Sequence, residues 1–338
     1  MKQALLLLPL LALPAGDSIE YKASEGDRIR ITSEQSAEIS LVDQEVTILV
    51  DGEEQQMGDP PDVEVTLSLK QTVVFIDEIR KATDEGEARQ IHRSFETLNG
   101  VFNQEVSGLP EDVEAPEPVE IGSDLEGGAV LLTWDDDEGD WTVEATEDAS
   151  YEEESLEPIE HNADLTYLLP GEEIEAGSSW ELEAEEFRRM MDLSGEIDMK
   201  PVDGEDEEDE DFDEVWESEN FILTVKEMDD STVTITIEVA VSRTEEGEME
   251  MELPPEVEAE PPVITMVDVL EWELTGELIW NREANRPESV SLEGTLARNV
   301  DRQQEMSGPM GDVSVHEVQG FEGPFEVSMT FEDAPEGE

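Results

Sequence analysis

Along most of the chain, apolar and polar residues alternate with a period of two. Val63, Val65, Leu67 and Leu69 share one parity. Phe221, Leu223 and Val225 form a second run, and after the polar turn EMDDS the pattern resumes at Val233, Ile235, Ile237, Val239 and Val241. Leu270, Trp272, Leu274, Leu278 and Trp280 keep a third face, on which Gly276 marks a bulge or a bend. The segment NREANRP then turns the chain, and Val290, Leu292 and Leu296 return on the matching side. Such runs are half-buried antiparallel strands joined by hairpins, with one apolar and one solvated side.

Helical periodicity is scarce. The clearest case is ELEAEEFRRMMDL, Glu181 to Leu193, where acids fill the first turns and Phe187, Met190 and Met191 make an apolar patch. A shorter candidate covers Asn162 to Leu169. The predicted fold is therefore mainly β: a large curved antiparallel sheet of hairpins, barrel-like or a sandwich, with one or two short helices.

The chain divides by composition. Residues 1–15, MKQALLLLPLLALPA, read as a signal peptide: Lys2 is the positive start, and Ala4 to Leu13 form an apolar core too short to span a bilayer. N-terminal hairpins are expected over 16–108 and a Pro-rich acidic connector over 109–122. A hairpin plus short helix follows over 123–200, an acidic disordered loop over 201–214 and C-terminal hairpins over 215–333. Within that loop Asp203 to Glu214 carries ten acids in twelve residues, a density that holds a chain open by self-repulsion. A second Pro-rich acidic stretch, Leu253 to Pro262, interrupts the C-terminal hairpins.

Charge changes the picture most. The 338 residues hold 93 Asp and Glu against 18 Lys and Arg, a formal net charge of -75. Nucleic acids and anionic membranes are repelled by such a surface, whereas cations and basic partners are not. Only six of the basic residues are Lys. An acid-rich, lysine-poor surface suits a salty medium, where the Debye length falls from about 10 Å at 0.1 M to about 3 Å at 1 M. The expectation is a secreted or periplasmic protein with halophilic adaptation, soluble once its signal peptide is cut. Cysteine is absent, so the chain has neither disulfides nor a lipoprotein anchor.

The stretch WDDDEGDW, Trp134 to Trp141, poses the main question of chemistry. A six-residue hairpin loop over Asp135 to Asp140 sets Trp134 opposite Trp141, Leu132 opposite Val143 and Val130 opposite Ala145, all on one face. An EF-hand would need ligands at positions 1, 3 and 5, glycine at 6 and an acid at 12. Starting at Asp135 places Gly139 at position 5 and Thr146 at 12, so hairpin geometry explains the spacing better than calcium does. Asp135, Asp137 and Asp140 are the metal candidates if an irregular site exists.

No catalytic constellation is visible. His92, His161 and His316 lie far apart without a second ligand at metal-binding spacing, and G-x-S-x-G and phosphate-cradling glycine motifs are missing. Trp180, Trp216, Trp272 and Trp280 could line a sugar or apolar site, but aromatic residues on alternating strands belong mostly to cores. The expectation is no enzyme and no cofactor.

Four stretches occur in order: IDEIRKATDEGEARQIHRSFETLNGV, LEGGAVLLTWDDDEGDWTVEA, LTYLLPGEEIEAGSSWELEAEEFRRMM and ELTGELIWNREANRPESVSLEGTL. Together they resemble a family of secreted, uncharacterised proteins found mainly in planctomycete-type bacteria. The most specific phrase is LLPGEEIEAGSSW, a Pro-Gly turn followed by Gly177 and Trp180. The resemblance implies export and a β-rich fold, and no activity. The first functional expectation is a non-enzymatic envelope or extracellular protein acting as a binding or structural module. The second is a periplasmic carrier of an apolar ligand in a half-open β barrel, with Phe187, Met190 and Met191 on its lid. A third is low-affinity binding of divalent cations by the acidic loops.

Overall fold

The fold was analysed in a computed structural model, which describes residues 18–55, 63–108, 116–146, 151, 155–197, 199–202, 213–250, 263–308 and 311–335. The signal-peptide reading, most of the acidic loop, the Leu253 to Pro262 stretch and residues 109–115 of the first connector lie outside these residues.

Alternation of period two produces one antiparallel sheet. Its long strands are β1 (Arg28–Val50), β3 (Glu64–Ala82), β4 (Ala88–Ser107), β10 (Asp213–Met228), β11 (Thr232–Glu250), β12 (Val263–Asn281), β13 (Arg286–Gly308) and β14 (Gly311–Asp333). Shorter ones are β2 (Glu53–Glu54), β5 (Val119–Gly122), β6 (Ala129–Asp135), β7 (Asp140–Ala145), β8 (Ser179–Glu181) and β9 (Lys200–Pro201). The spatial order is β7-β6-β4-β3-β1-β14-β13-β12-β11-β10-β8, with β2 on β1, β5 on β4 and β9 on β5. A sandwich would need two sheets, and the described strands form one. The sheet is open, because β7 and β8 end the order without meeting. Pairing of β1 with β14 joins the N-terminal hairpins to the C-terminal ones.

One cross-strand row shows why the sheet curls around its apolar side. Leu98 faces Val73, then come Ser33, Met329, Val290, Leu278, Ile235 and Val225, each opposite the next on eight successive strands. All but the partly buried Val73 are buried. Removing one such aliphatic side chain from water is worth roughly 1.5–3 kcal/mol. The other parity carries Glu34, Glu38, Glu238, Glu277, Glu293 and Glu326, which faces water. A lipid-facing barrel has the inverse arrangement, with an apolar band outside.

Gly276 lies in unbroken register with Ile237 and Leu292, so it is a site of close approach and not a bulge. A side chain there would overlap the Ser291 carbonyl, and at Gly294 it would overlap that of Glu273. Glycine at these inward positions lets neighbouring strands crowd together and the sheet bend.

The open side of the curl is filled by the connection from β7 to β10. Its helix α1 (Ala184–Met191) starts where the Glu186 carboxylate accepts a hydrogen bond from the Glu183 N–H, 3.0 Å away. Glu185 and Glu186 in its first turn and Arg188 and Arg189 in its last complement the helix dipole. The second helical candidate is a single 3-10 turn, Thr166–Leu168, entered through Leu165 in a left-handed conformation. The tail of the predicted connector, Val119–Gly122, is strand β5.

Phe187 and Met190 are fully buried and Met191 partly so. The Phe187 ring meets Trp272 at 5.7 Å, Phe221 at 6.1 Å and Trp216 at 6.3 Å, with Trp216 and Trp272 stacked at 5.5 Å. The helix is therefore a plug whose side chains occupy the space beneath it. Phe187→Ala should cost about 3–5 kcal/mol in denaturant unfolding, as for an aromatic residue cut from a packed core. A loss below about 1 kcal/mol would instead mark a lid over free space.

Candidate functional site

Two neighbouring strands each interrupt their buried face with a charge. On β3 the inward sequence is Phe75, Asp77, Ile79, and on β4 it is Ile91, Arg93, Phe95. The hairpin register sets Asp77 directly opposite Arg93. Arg93 donates from Nε to Asp77 Oδ1 at 2.8 Å and from Nη2 to Oδ2 at 2.9 Å. Its Nη1 donates to the Glu160 carbonyl at 2.8 Å and, more weakly, to that of Ser194 at 3.4 Å. The guanidinium lies 4.3 Å from the centre of the Phe75 ring. Both charges are sealed from solvent, at 0% and 2% exposure. This bidentate pair clamps the Glu160 and Ser194 ends of the inserted connection onto the sheet.

The clamp brings His161 beside it. Asp77 Oδ2 is 3.8 Å from His161 Nδ1, and Asp164 Oδ2 is 3.8 Å from Nε2, beyond hydrogen-bond reach in both cases. Neither ring nitrogen has a hydrogen-bond partner, although the side chain is only 5% exposed. Burial pushes the His161 pKa down, against the pull of Asp164 and Asp77. One metal ion could not use all three groups, because the two carboxylates face opposite nitrogens of the ring. Among the described residues no group of three His, Asp or Glu side chains is arranged for a metal.

His161 forms the inner wall of a cleft of about 410 Å3, which Tyr21, Arg89, Trp134, Trp141, Asp164 and Arg189 also line. Trp141 packs edge-to-face on His161 at 5.1 Å and on Trp134 at 5.6 Å. Arg89 lies 5.6 Å from the Trp134 ring and is engaged by Glu87 and Asp136. Arg189 stacks 4.3 Å over Tyr167 and donates from Nε to Asn162 Oδ1 at 3.1 Å. It forms no ion pair among the described residues. Asp164 accepts from both the N–H and the hydroxyl of Thr166 at 3.0 Å.

The hairpin at this cleft has the register that the sequence predicts, with Trp134 opposite Trp141, Leu132 opposite Val143 and Val130 opposite Ala145. Asp135 Oδ1 accepts from the N–H of Asp137 at 2.8 Å and of Glu138 at 3.3 Å, and Gly139 has a positive φ of 76°. Asp140 Oδ1 accepts from Trp141 N–H at 2.7 Å, and the Asp137 side chain is on the exposed turn. The three metal candidates thus sit in one turn, and two of their carboxylates are used to close it. Phe187, Met190 and Met191 lie in the core region around α1 and do not line the cleft. Trp180 donates to the Leu168 carbonyl at 2.8 Å, and Trp280 is buried. His92 and His316 stand apart from the cleft, the latter 2.8 Å from Asp301.

A larger trough of about 940 Å3 crosses the polar side of the sheet, lined by Ser36, Thr72, Thr236, Ser291 and Glu293 among others, with Lys70 its one basic residue. No buried unpartnered group opens into it apart from this solvated lining. The His161 cleft differs in that its wall holds a polar ring which the fold leaves unsatisfied.

No family model and no curated protein matches the chain. Among solved structures it is similar to the outer membrane protein OprG from Pseudomonas aeruginosa, at 7% identity over 94% of this chain and all of that one, with a TM-score of 0.27. It is also similar to the InvG secretin-domain β-barrel from the Salmonella SPI-1 injectisome, at 9% identity over 93% of this chain and 64% of that one, with a TM-score of 0.15. Superpositions this loose carry no argument about fold or role.

His161→Phe should stabilise the protein by about 1 kcal/mol at pH 7, because it replaces unsatisfied buried nitrogens with apolar surface. With the folded-state pKa below the ordinary 6.5, the unfolded chain takes up a proton that the folded one resists. Stability contributed by His161 is therefore lost as pH falls, and the advantage of the Phe variant grows from pH 7 to 5 in paired thermal melts. Asp192, next to α1, gives the opposite trend. Burial, reinforced by Glu196, raises its pKa from 3.8 to about 7. The folded chain holds a proton that the unfolded one releases, so stability declines as pH rises from about 4 to 7. Asp192→Asn should melt several degrees higher than the parent at pH 8 and at the same temperature near pH 4.

Proposed function

We propose that this chain is a secreted or periplasmic, non-enzymatic binding protein that holds a small polar ligand in the His161 cleft. The observation that carries the reading is a buried imidazole with both nitrogens unpartnered, in the wall of an open cleft. Buried polar groups are nearly always hydrogen-bonded, and leaving one unpaired costs about 1–3 kcal/mol. Both nitrogens are covered in the free chain, so a ligand bearing a donor and an acceptor removes that cost where a neighbouring side chain moves aside. The volume lies within the roughly 300–1,000 Å3 of small-molecule sites, and two tryptophans offer apolar surface beside the polar groups. Leu165, buried and left-handed between Asp164 and Thr166, adds backbone strain at the same place.

Support for binding without catalysis comes from the same geometry. His161 has no serine or threonine hydroxyl within hydrogen-bond reach, and the Thr166 hydroxyl is committed to Asp164. Export is supported by the apolar segment behind Lys2, and residence in a saline medium by the net charge of -75. An apolar carrier would need space under α1, which Phe187 and Met190 fill.

The test is a thermal-shift screen of the mature chain against neutral, anionic and cationic solutes, repeated with Trp141→Ala. At least one solute should raise the melting temperature by linkage, the rise should vanish in the variant, and the solute should be recovered chemically unchanged. A panel without effect, a rise that survives Trp141→Ala, or conversion of the solute would each overturn the proposal.

A further inference from the structure

We infer that the cleft recognises a sugar acid, a polyhydroxylated ring bearing one carboxylate; this rests on the binding role proposed above. Three independent requirements of the site converge on that class.

The first is for an anion. With 93 acids against 18 bases, most arginines of this chain sit against a carboxylate. Arg189 does not: its Nε is held by Asn162, its plane rests on Tyr167, and its two Nη groups carry no partner among the described residues. Both anchors fix the guanidinium at the end of α1 while leaving the fork that binds a carboxylate bidentately.

The second is for hydroxyl groups. Glu87 and Asp164 line the same cleft as acceptors. A hydroxyl supplies the donor. A planar aromatic acid would satisfy Arg189 but bring no hydroxyl to the second oxygens of Glu87 and Asp164, whose first oxygens accept from Arg89 and Thr166.

The third is for an apolar plate. Trp134 and Trp141, crossed at 73°, give indole surface against which the C–H face of a pyranose can pack. Tryptophan supplies large contact area at low entropic cost and carries a polar handle.

The net charge of -75 opposes any anion from a distance, but that field is screened by salt while the Arg189 contact is short-ranged and partly buried. Affinity for the acid should therefore hold or rise as NaCl is added, the reverse of a loose surface ion pair.

The experiment titrates the full mature chain with glucuronate, glucose and benzoate by calorimetry or saturation-transfer NMR. Glucuronate should bind at least about tenfold more tightly than glucose, a difference of about 1.4 kcal/mol. Arg189→Gln should bring the two sugars within about twofold of each other, and Arg189→Lys should restore part of the preference, which a merely structural Arg189 would not require. Trp141→Ala should weaken both sugars. Equal binding of glucose and glucuronate, or a steep fall with salt, overturns the anion assignment and leaves the cleft as a binding site. A preference for benzoate overturns the sugar assignment in the same way. If none of the three binds, the inference fails, and the solute panel decides separately whether the cleft binds anything.

Discussion

Arg93 is a cation sealed inside an acidic chain, and the shape of the molecule around the cleft depends on how it is satisfied. Desolvating an ion pair costs several kcal/mol per ion, which is offset only by near-ideal geometry and further hydrogen bonds. Here Asp77 takes two donors of the guanidinium and the Glu160 and Ser194 carbonyls share a third group, while Phe75 covers the flat face. A lysine would present a point charge and could not join two strands and two loop carbonyls in one plane. The consequence is positional. The clamp ties the irregular segments around Glu160 and Ser194 to the sheet. His161, one residue beyond a clamped carbonyl, inherits that fixed position.

The acidic surface and the apolar interior answer to different solvents without conflict. Strand parity assigns glutamate to one side of the sheet and aliphatic or aromatic residues to the other, so even an extreme charge puts few ions in the core, and Asp77 and Asp268 there are each paired with an arginine. The open edge of the curl is where the two regimes meet. There α1 delivers Phe187 and Met190 inward and Arg188 and Arg189 outward, which spacing of three and four along a helix permits. Plug and cleft are thus two faces of one short helix.

Most of this architecture was legible in the residues. Period-two runs predicted β10 to β13 and their hairpins, the acid-first, arginine-last pattern predicted α1, and loop length fixed the Trp134–Trp141 register. Gly276 was recognisable as a bend, although only the coordinates distinguish close approach from an inserted residue. The sandwich alternative was open because parity gives faces and not neighbours. The clamp carried a signal that went unused: Phe75-Asp77-Ile79 and Ile91-Arg93-Phe95 place opposite charges on the buried parities of two strands flanking a short turn, and a hairpin centred on Glu85 sets them face to face. The rest of the site was not legible. His161, Asp164 and Arg189 come from a segment without periodicity, and only long-range packing brings them to the tryptophans.

The acidic hairpin WDDDEGDW therefore has a double role that neither a metal site nor a plain turn describes. Its carboxylates close the loop: Asp135 caps two backbone N–H groups, Asp140 a third, and Asp136 holds Arg89. Because the four-residue turn Asp136 to Gly139 keeps both tryptophans on the inward face, closing it also sets Trp141 against His161 and turns Trp134 to the cleft. Trp141 shields the imidazole from bulk water on one edge, and the clamp places it from behind. The histidine is kept dry and its nitrogens unpaired by groups that are themselves fully engaged. Such an arrangement is stable only because the surrounding contacts are complete, and it leaves an unmet demand for hydrogen bonding just behind the wall of the cleft.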